Sequence, residues 1–289
     1  MIIWIASYPK SGNTWLRSFL ASVFYTEDAN SNFKNLNNIK QYPLRSHFNG
    51  LINDFKDIDQ IVKNWSLSQD LINQDKKVKF LKTHHVNCKI NGFNFSNHKN
   101  TLGAIYIVRD PRNVITSIQY HWSKSIEDSQ KFIFDDQKWI GVNWDDKRPD
   151  LVASDKKNTN FPTLIGSWKS HYNMWKQMQK NFLLIKYEDL IDNPIKEFSK
   201  IIRFIEKILK FKIDDKKIAK AVENNKFKKL KDQEIEDGFV ESILDKNTKT
   251  KKNFFYLGPN NKWSKNLDID IRKNIEKKFY HEMKELGYL

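Results

Sequence analysis

The chain has 289 residues, of which 39% are hydrophobic and 13% aromatic, which excludes a disordered chain and is enough to build a sizeable core. The net charge of +15 favours anionic partners, and the single cysteine, Cys88, excludes an internal disulfide and a cysteine-based zinc site. No segment approaches the about 20 apolar residues of a transmembrane helix, and the N-terminal apolar run lacks the basic lead-in of a signal peptide. We therefore expect one cytoplasmic domain over residues 1–289.

The first 25 residues predict a strand, a glycine turn and a helix. Residues 2–5 are apolar, and apolar side chains recur at helical spacing over residues 16–23. Such a junction directs free backbone N–H groups and the positive end of a helix dipole at one point. The intervening string is Tyr8, Pro9, Lys10, Ser11, Gly12, Asn13, Thr14 and Trp15. We expect it to bind a phosphate, although it is not a Walker A loop, which would place the lysine directly after the last glycine.

Three further apolar runs, at residues 78–81, 104–108 and 182–185, read as buried parallel strands. Polar residues follow each run: Lys82-Thr83-His84, Arg109-Asp110 and Tyr187-Glu188-Asp189. Ligands of open α/β sheets lie at the carboxyl ends of the strands, so we expect these residues to meet at one edge. Helical spacing predicts the helices 114–122, 163–178, 198–209, 218–222 and 271–286.

Two polar stretches, residues 26–76 and 124–161, read as loops or lids, and the first contains a short amphipathic piece over residues 51–62. The second contains the aromatic residues Phe132, Phe134, Trp139 and Trp144. These side chains either pack locally or form the wall of an acceptor pocket, and the sequence leaves both readings open.

A second motif surrounds Arg109. Asp110 and Pro111 are typical of an N-cap and a first helical position, and Ser117 lies about two turns into the helix that they begin. Arg109 and Ser117 can therefore face one anion. The alternative is a surface pair of Arg109 and Asp110 with a serine buried on the helix.

Together, the loop of residues 8–15 and the Arg109–Ser117 motif resemble the cytosolic-type sulfotransferase family, whose donor is 3′-phosphoadenosine 5′-phosphosulfate (PAPS). The resemblance implies a single α/β domain with a central, mostly parallel sheet flanked by helices and a P-loop-like phosphosulfate loop after the first strand. It also implies that Arg109 and Ser117 bind the 3′-phosphate. The loop residues that it assigns to the 5′-phosphosulfate are Lys10, Ser11, Gly12, Asn13, Thr14 and Trp15.

The resemblance extends to about residue 287. Lys82-Thr83-His84 is similar to the family's Lys-Thr-His, which implies that His84 is the catalytic base. Tyr187 is implied to contact the adenine, Asn225 and Phe227 to line its other side, and Gly258 to belong to a loop that closes over the 3′-phosphate. A further match to the family is the helix motif of Gly166, Ser167, Trp168, His171 and Trp175.

The chain departs from the family pattern at two places. Tyr256 and Leu257 stand where the family has Arg-Lys before Gly258, so the clamp on the 3′-phosphate is in question. The nearby lysines are candidates to replace it, although their spacing does not match the family pattern: Lys249, Lys251, Lys252 and Lys262. The family's KxxxTVxxxE dimerisation pattern is also missing around residues 265–274, which leaves the oligomeric state open.

The mechanism implied is in-line transfer of a sulfuryl group to a hydroxyl or amine of an unidentified small-molecule acceptor. Lys10 would neutralise the leaving phosphate, Lys82 the sulfuryl oxygens, and His84 would take the proton. His85 should point to the opposite side of the strand. We expect no metal requirement, because cations and backbone donors take the role that magnesium has in phosphoryl transfer.

Two other classes stay open at this stage. A P-loop-type small-molecule kinase would need the Walker lysine, which is absent. A non-catalytic anion or nucleic-acid binder would suit the net charge, but the lysines are spread along the chain and form no nucleic-acid-binding motif, so we expect no nucleic-acid partner.

Overall fold

A sheet of four parallel strands organises the molecule, as the sequence predicts. Its strands lie in the order Lys79–Thr83, Ile2–Ser7, Thr101–Val108 and Phe182–Lys186. The computed structural model describes residues 1–141, 161–178, 181–245, 248 and 250–289. The strands of this sheet are β1 (Ile2–Ser7), β2 (Lys79–Thr83), β5 (Thr101–Val108) and β8 (Phe182–Lys186). Three two-stranded ribbons are formed by β3 (Lys89–Ile90) with β4 (Phe93–Asn94), β6 (Trp139–Ile140) with β7 (Thr163–Leu164), and β9 (Ile243–Leu244) with β10 (Lys251–Lys252).

Helices cover both faces of the sheet. They are α1 (Asn13–Tyr25), α2 (Ile58–Lys63), α3 (Trp65–Ile72), α4 (Pro111–Trp122), α5 (Ile126–Phe134), α6 (Trp168–Lys176), α7 (Tyr187–Asp192), α8 (Pro194–Leu209), α9 (Asp215–Asn224), α10 (Phe227–Asp237), α11 (Trp263–Asn266), α12 (Ile269–Lys278) and α13 (Tyr280–Glu285). Short 3₁₀ helices lie at Phe33–Asn38, Arg45–Phe48 and Gly258–Asn260.

The core consists of two layers because side chains alternate along each strand. Trp4 of β1 faces the layer that includes α3, α4 and α6, whereas Ile3 and Ile5 face α1, α8 and α9. Burial on both faces explains why the strands read as continuous apolar runs. All four strands are parallel, so their carboxyl ends share one edge, and the residues that follow Ser7, Thr83, Val108 and Lys186 meet there.

Two predicted helices need correction. The helix predicted over 163–178 is confined to Trp168–Lys176, because Thr163 and Leu164 pair with Trp139 and Ile140 as a ribbon. The helix predicted over 271–286 is two helices that meet at Phe279, a buried residue with φ −115° and ψ 22°.

The polar stretches contain more structure than loops. Helices α2 and α3 lie within residues 26–76, and α5 lies within residues 124–161. Phe132 packs against Trp122, and Phe134 against Phe279, so these two aromatics join the core. Trp144 lies outside the described residues. In the part of the chain that the structure describes, no helix has the length and apolar character needed to span a bilayer.

Candidate active site

The loop between β1 and α1 places the start of a helix at the carboxyl edge of the sheet. Gly12 caps α1 with φ 101°, a left-handed conformation that favours glycine. A Cβ atom at Gly12 would lie 2.5 Å from Tyr187 Cδ2, so any side chain there would collide with the ring. The ring of Tyr187 also lies 4.3 Å from the Arg109 guanidinium carbon. Tyr187 therefore links the loop to the end of β5.

Hydrogen bonds fix the shape of this loop and leave one donor unused. Asn13 Nδ2 donates to the carbonyl of Ile5 at 3.0 Å and to Ser7 Oγ at 3.1 Å. The Lys10 carbonyl accepts from Arg109 Nη1 at 3.0 Å. Ser11 Oγ is buried and has no partner among the described residues. A buried hydroxyl without a partner is costly, so Ser11 fits a ligand oxygen.

Arg109 and Ser117 are in direct contact, as the predicted shared anion requires. Arg109 Nη1 donates to Ser117 Oγ at 3.2 Å, and Asn261 Nδ2 donates to the same oxygen at 3.0 Å. No described residue accepts the hydrogen of the Ser117 hydroxyl. Arg109 Nε is buried, and no described residue accepts its hydrogen either. Both groups are donors, so they fit an anion. Asp110 caps α4 and Pro111 is its first residue, as predicted.

The two adjacent histidines have different environments. His84 Nδ1 lies 2.7 Å from the carbonyl of Ser7, and a carbonyl can only accept, so Nδ1 carries the proton and Nε2 keeps its lone pair. Burial, together with Lys82, lowers the pKa of His84 well below its usual value. His85 is fully buried and stacks on Phe95 at 4.2 Å. His85 has the same tautomer, because its Nδ1 lies 2.7 Å from the carbonyl of Val86, but its ring is fully buried. Position alone therefore makes His84 the candidate base at the sheet edge.

Three donors on α6 hold the backbone of this edge. Trp168 Nε1 donates to the carbonyl of Arg109 at 3.0 Å, His171 Nε2 to that of His84 at 3.1 Å, and Trp175 Nε1 to that of His85 at 2.9 Å. The sequence matched this helix to a family motif without assigning it a role. The signal was available, because buried indole N–H groups need acceptors and this spacing places the three side chains on one helical face.

The cations of the site surround a carboxylate that the sequence analysis missed. Glu241 Oε2 accepts from Thr14 Oγ1 at 2.8 Å, and Glu241 Oε1 lies 2.7 Å from Arg17 Nη1 and 3.6 Å from Lys82 Nζ. Arg17 was missed as well. Its Nη2 donates to two backbone carbonyls, at 3.3 and 3.1 Å, which fixes the guanidinium.

Burial opposes the charges of Lys10, Lys82 and Glu241. It lowers the pKa of Lys10 to about 7, partly offset by Glu241, and it lowers the pKa of Lys82 as well. For Glu241, burial is outweighed by Lys82 and Arg17, which hold the pKa of the carboxyl well below its usual range. The Lys10 ammonium also lies 3.9 Å from the centre of the Phe254 ring.

An aromatic wall lies beyond Tyr187. Trp15 Nε1 donates to the carbonyl of Asn225 at 2.7 Å, and a Cβ atom at Gly258 would lie 2.1 Å from the Phe227 ring. The structure thus pairs Trp15 with Asn225 and Gly258 with Phe227. The Asn225 side chain is fully buried, with Nδ2 donating to Ser22 Oγ and to the carbonyl of Ala221.

Tyr256 stacks on Tyr120 at 3.7 Å, with the rings 5° from parallel. Lys252, one of the lysines suggested for the 3′-phosphate, is engaged by Asp245 at 2.6 Å and by Ser123 Oγ at 2.9 Å. Lys249 lies outside the described residues. Within the described ranges, no group of three or more His, Cys, Asp or Glu side chains is placed to hold a metal ion.

Sequence comparison gives one family for nearly the whole chain: the model of the sulfotransferase domain matches residues 2–287. Human sulfotransferase 2A1 is 22% identical over 98% of this chain and 84% of its own length. Dog sulfotransferase 1B1 is 25% identical over 80% of this chain and 66% of its own length.

Solved structures share the fold. Mouse sulfotransferase SULT7A1, complexed with 3′-phosphoadenosine 5′-phosphate (PAP), matches with a TM-score of 0.58 and 17% identity. The match covers 98% of this chain and 84% of the other. Retinol dehydratase in a complex with retinol and PAP matches with a TM-score of 0.57 and 17% identity, covering 98% and 81%.

Proposed function

The chain belongs to the family of sulfotransferase domains and is a PAPS-dependent sulfotransferase, and we propose which residues carry out its reaction. The proposed acceptor is the hydroxyl or amine of a small molecule. The observation that carries the proposal is the position of His84: its tautomer is fixed by the Ser7 carbonyl at the edge where Lys82 and the start of α1 meet. A base, cations and free helix N–H groups are the requirements of sulfuryl transfer.

PAPS supplies the sulfuryl group that is transferred and departs as 3′-phosphoadenosine 5′-phosphate (PAP). The loop of residues 10–15 binds the 5′ end, where Ser11 Oγ and the first N–H groups of α1 donate to the anion. As the hydroxyl oxygen of the acceptor molecule bonds to sulfur, His84 Nε2 takes the proton of that hydroxyl. Lys10 balances the negative charge on the 5′-phosphate as the sulfur–oxygen bond to it breaks, and Lys82 faces the sulfuryl oxygens.

Arg109 and Ser117 bind the 3′-phosphate in this proposal. Two donors already point at Ser117 Oγ, so its own hydrogen is directed elsewhere and can be donated to a phosphate oxygen. Asn261 acts through Ser117 as a positioning residue. It lies three residues after Gly258. The two residues before Gly258 are Tyr256 and Leu257, where the family has an Arg-Lys pair.

The adenine lies between Tyr187 and Phe227, with Trp15 and Gly258 at its edges. Asn225 supports this wall through its carbonyl, which accepts from Trp15. For the acceptor, we propose the surface between residues 26–76 and the described part of residues 124–161. These stretches meet where Phe161 packs against Phe48 at 4.7 Å and against Phe55 at 6.2 Å.

The test is a PAPS-dependent screen of purified protein against phenols, alcohols, amines, sugars and lipid head groups. It is paired with calorimetry of PAP binding with and without a chelator. We expect PAP to bind equally in both conditions and ATP to stabilise the protein less than PAP does. Absence of PAP binding at millimolar nucleotide would overturn the donor assignment.

A further inference from the structure

We propose that Glu241 is an internal competitor of the donor: its carboxylate is held by donors of the phosphosulfate site and must leave them for PAPS to bind. The inference rests on the proposed function for the identity of the donor. Its physical basis is that a carboxylate, a sulfate and a phosphate are oxyanions that accept from the same N–H and O–H groups.

The partners of Glu241 identify the position that it occupies. Thr14 belongs to the phosphate loop and donates to Oε2 at 2.8 Å. Lys82 is the last but one residue of β2, the strand that leads to His84, and its Nζ lies 3.6 Å from Oε1. Arg17 is three residues after Thr14 and therefore on the same face of α1, and it donates to Oε1 at 2.7 Å. A hydroxyl and two cations thus converge on one carboxylate between the loop and the base.

Charge also favours competition over coexistence. Lys10, Arg17 and Lys82 bring three positive charges to this region, and Glu241 brings the opposing one. The phosphosulfate carries two negative charges. With Glu241 in place they would lie against a buried carboxylate, where like charges repel strongly because water screens little.

The surrounding chain allows the Glu241 side chain to move while its segment stays attached. Glu241 follows Val240, whose exposed fraction is 63%, in the turn after Gly238 at φ 74°. Next to it, Ser242 is held by the buried carboxylate of Glu234, which also accepts from the backbone N–H groups of Phe254 and Phe255. A rotation of the Glu241 side chain therefore frees Thr14, Arg17 and Lys82 without dissolving these anchors.

The experiment measures PAP affinity by calorimetry in the wild type, Glu241→Gln and Glu241→Ala, with Glu236→Gln as the control. Glu236 is exposed on the preceding helix α10, so its variant changes net charge equally without touching the site. If Glu241 is docked about nine-tenths of the time, releasing it tightens PAP binding about tenfold. We expect tighter binding in both Glu241 variants and none of this gain in the control. Unchanged or weaker binding in both would show that Glu241 supports the site instead.

Inorganic sulfate provides a second arm that does not depend on the nucleotide. We expect sulfate to raise the melting temperature of Glu241→Gln more than that of the wild type. Equal shifts would contradict competition. If wild type and variants alike fail to bind PAP, the donor assignment falls, while the sulfate arm still decides whether Glu241 blocks an anion site.

Discussion

The strand edge and the C-terminal segment, residues 238–262, contribute to one site by different means. At the strand edge, the carbonyls of Arg109, His84 and His85 each accept a hydrogen bond from a rigid ring of α6. In the C-terminal segment, Asn261 donates to Ser117 Oγ, the Tyr256 ring stacks on Tyr120, and the Glu241 carboxylate, which we propose is exchangeable, accepts from Thr14. The residues that we propose to handle the reacting atoms therefore lie where the sheet fixes them, whereas the carboxylate that we propose to leave for the donor lies in a turn outside the sheet.

The largest effect is expected at His84. His84→Ala should lower turnover by about 10²–10⁴-fold, because a general base is lost, with PAP affinity unchanged. His85→Ala is the matched control. It empties a fully buried stacking position, so it should lower the melting temperature and leave turnover per folded molecule nearly intact. Initial rates and thermal melts test both, and the reverse pattern would mean that His85 is the base.

Arg109→Ala comes next. A hydrogen bond to a charged group contributes about 1.5–3 kcal/mol, so PAP affinity should fall by about 10–150-fold. The loss for adenosine 5′-phosphosulfate, which lacks the 3′-phosphate, should be much smaller. Calorimetry with both nucleotides gives the ratio. Equal losses would show that Arg109 acts only by holding the Lys10 carbonyl and the Tyr187 ring.

Lys10 makes donor binding depend on pH. Its pKa is about 7 because the ammonium is buried, and a bound anion raises that pKa. Below pH 7 the group is already charged, so this group gives no pH dependence there. Above pH 7 binding must take up a proton, and affinity should fall by up to about tenfold per pH unit. Calorimetry from pH 6 to 9 tests this, and Lys10→Arg should flatten the profile. A flat wild-type profile would contradict it.

The smallest effect is expected in the C-terminal segment. Tyr256→Leu removes a stacked ring, worth about 0.5–1.5 kcal/mol, so PAP affinity should fall by about two- to tenfold. Tyr256→Phe keeps the ring and should retain wild-type affinity. A loss of PAP affinity as large as that of Arg109→Ala would contradict the contrast between the two regions. It would mean that the C-terminal segment is as rigid as the strand edge.

The features predicted correctly from the sequence are those that a local residue pattern encodes. The four parallel strands, the glycine turn at Gly12 and the Asp110 cap are all confirmed. The meeting of Lys10, Lys82 and Arg109 at one edge followed from the rule for strand ends. The roles assigned to these residues stay predictions.

The missed parts of the site arise from contacts between distant positions. Glu241 reaches Thr14 across 227 residues and Arg17 across 224, and no periodicity or motif marks such a pair. Arg17 was missed because it lies in α1, which was predicted from the spacing of the apolar residues around it. The amphipathic piece predicted over residues 51–62 overlaps α2, whereas α3 and α5 were missed because their segments are polar or short, so propensity alone gave a weak signal.

The anchoring by α6 has a consequence for how the protein folds. Its three donors lie 59, 87 and 90 residues along the chain from the carbonyls that they hold. Contacts of such sequence separation form late, because the loop between the partners must be closed first. During synthesis, the ribosome releases the three residues whose carbonyls are held, His84, His85 and Arg109, well before the rings of α6 that hold them. The strand edge therefore takes its geometry only after α6 has been made, and a chain that ends before Trp168 has the phosphate loop, both histidines and Arg109 but lacks the donors that hold this backbone.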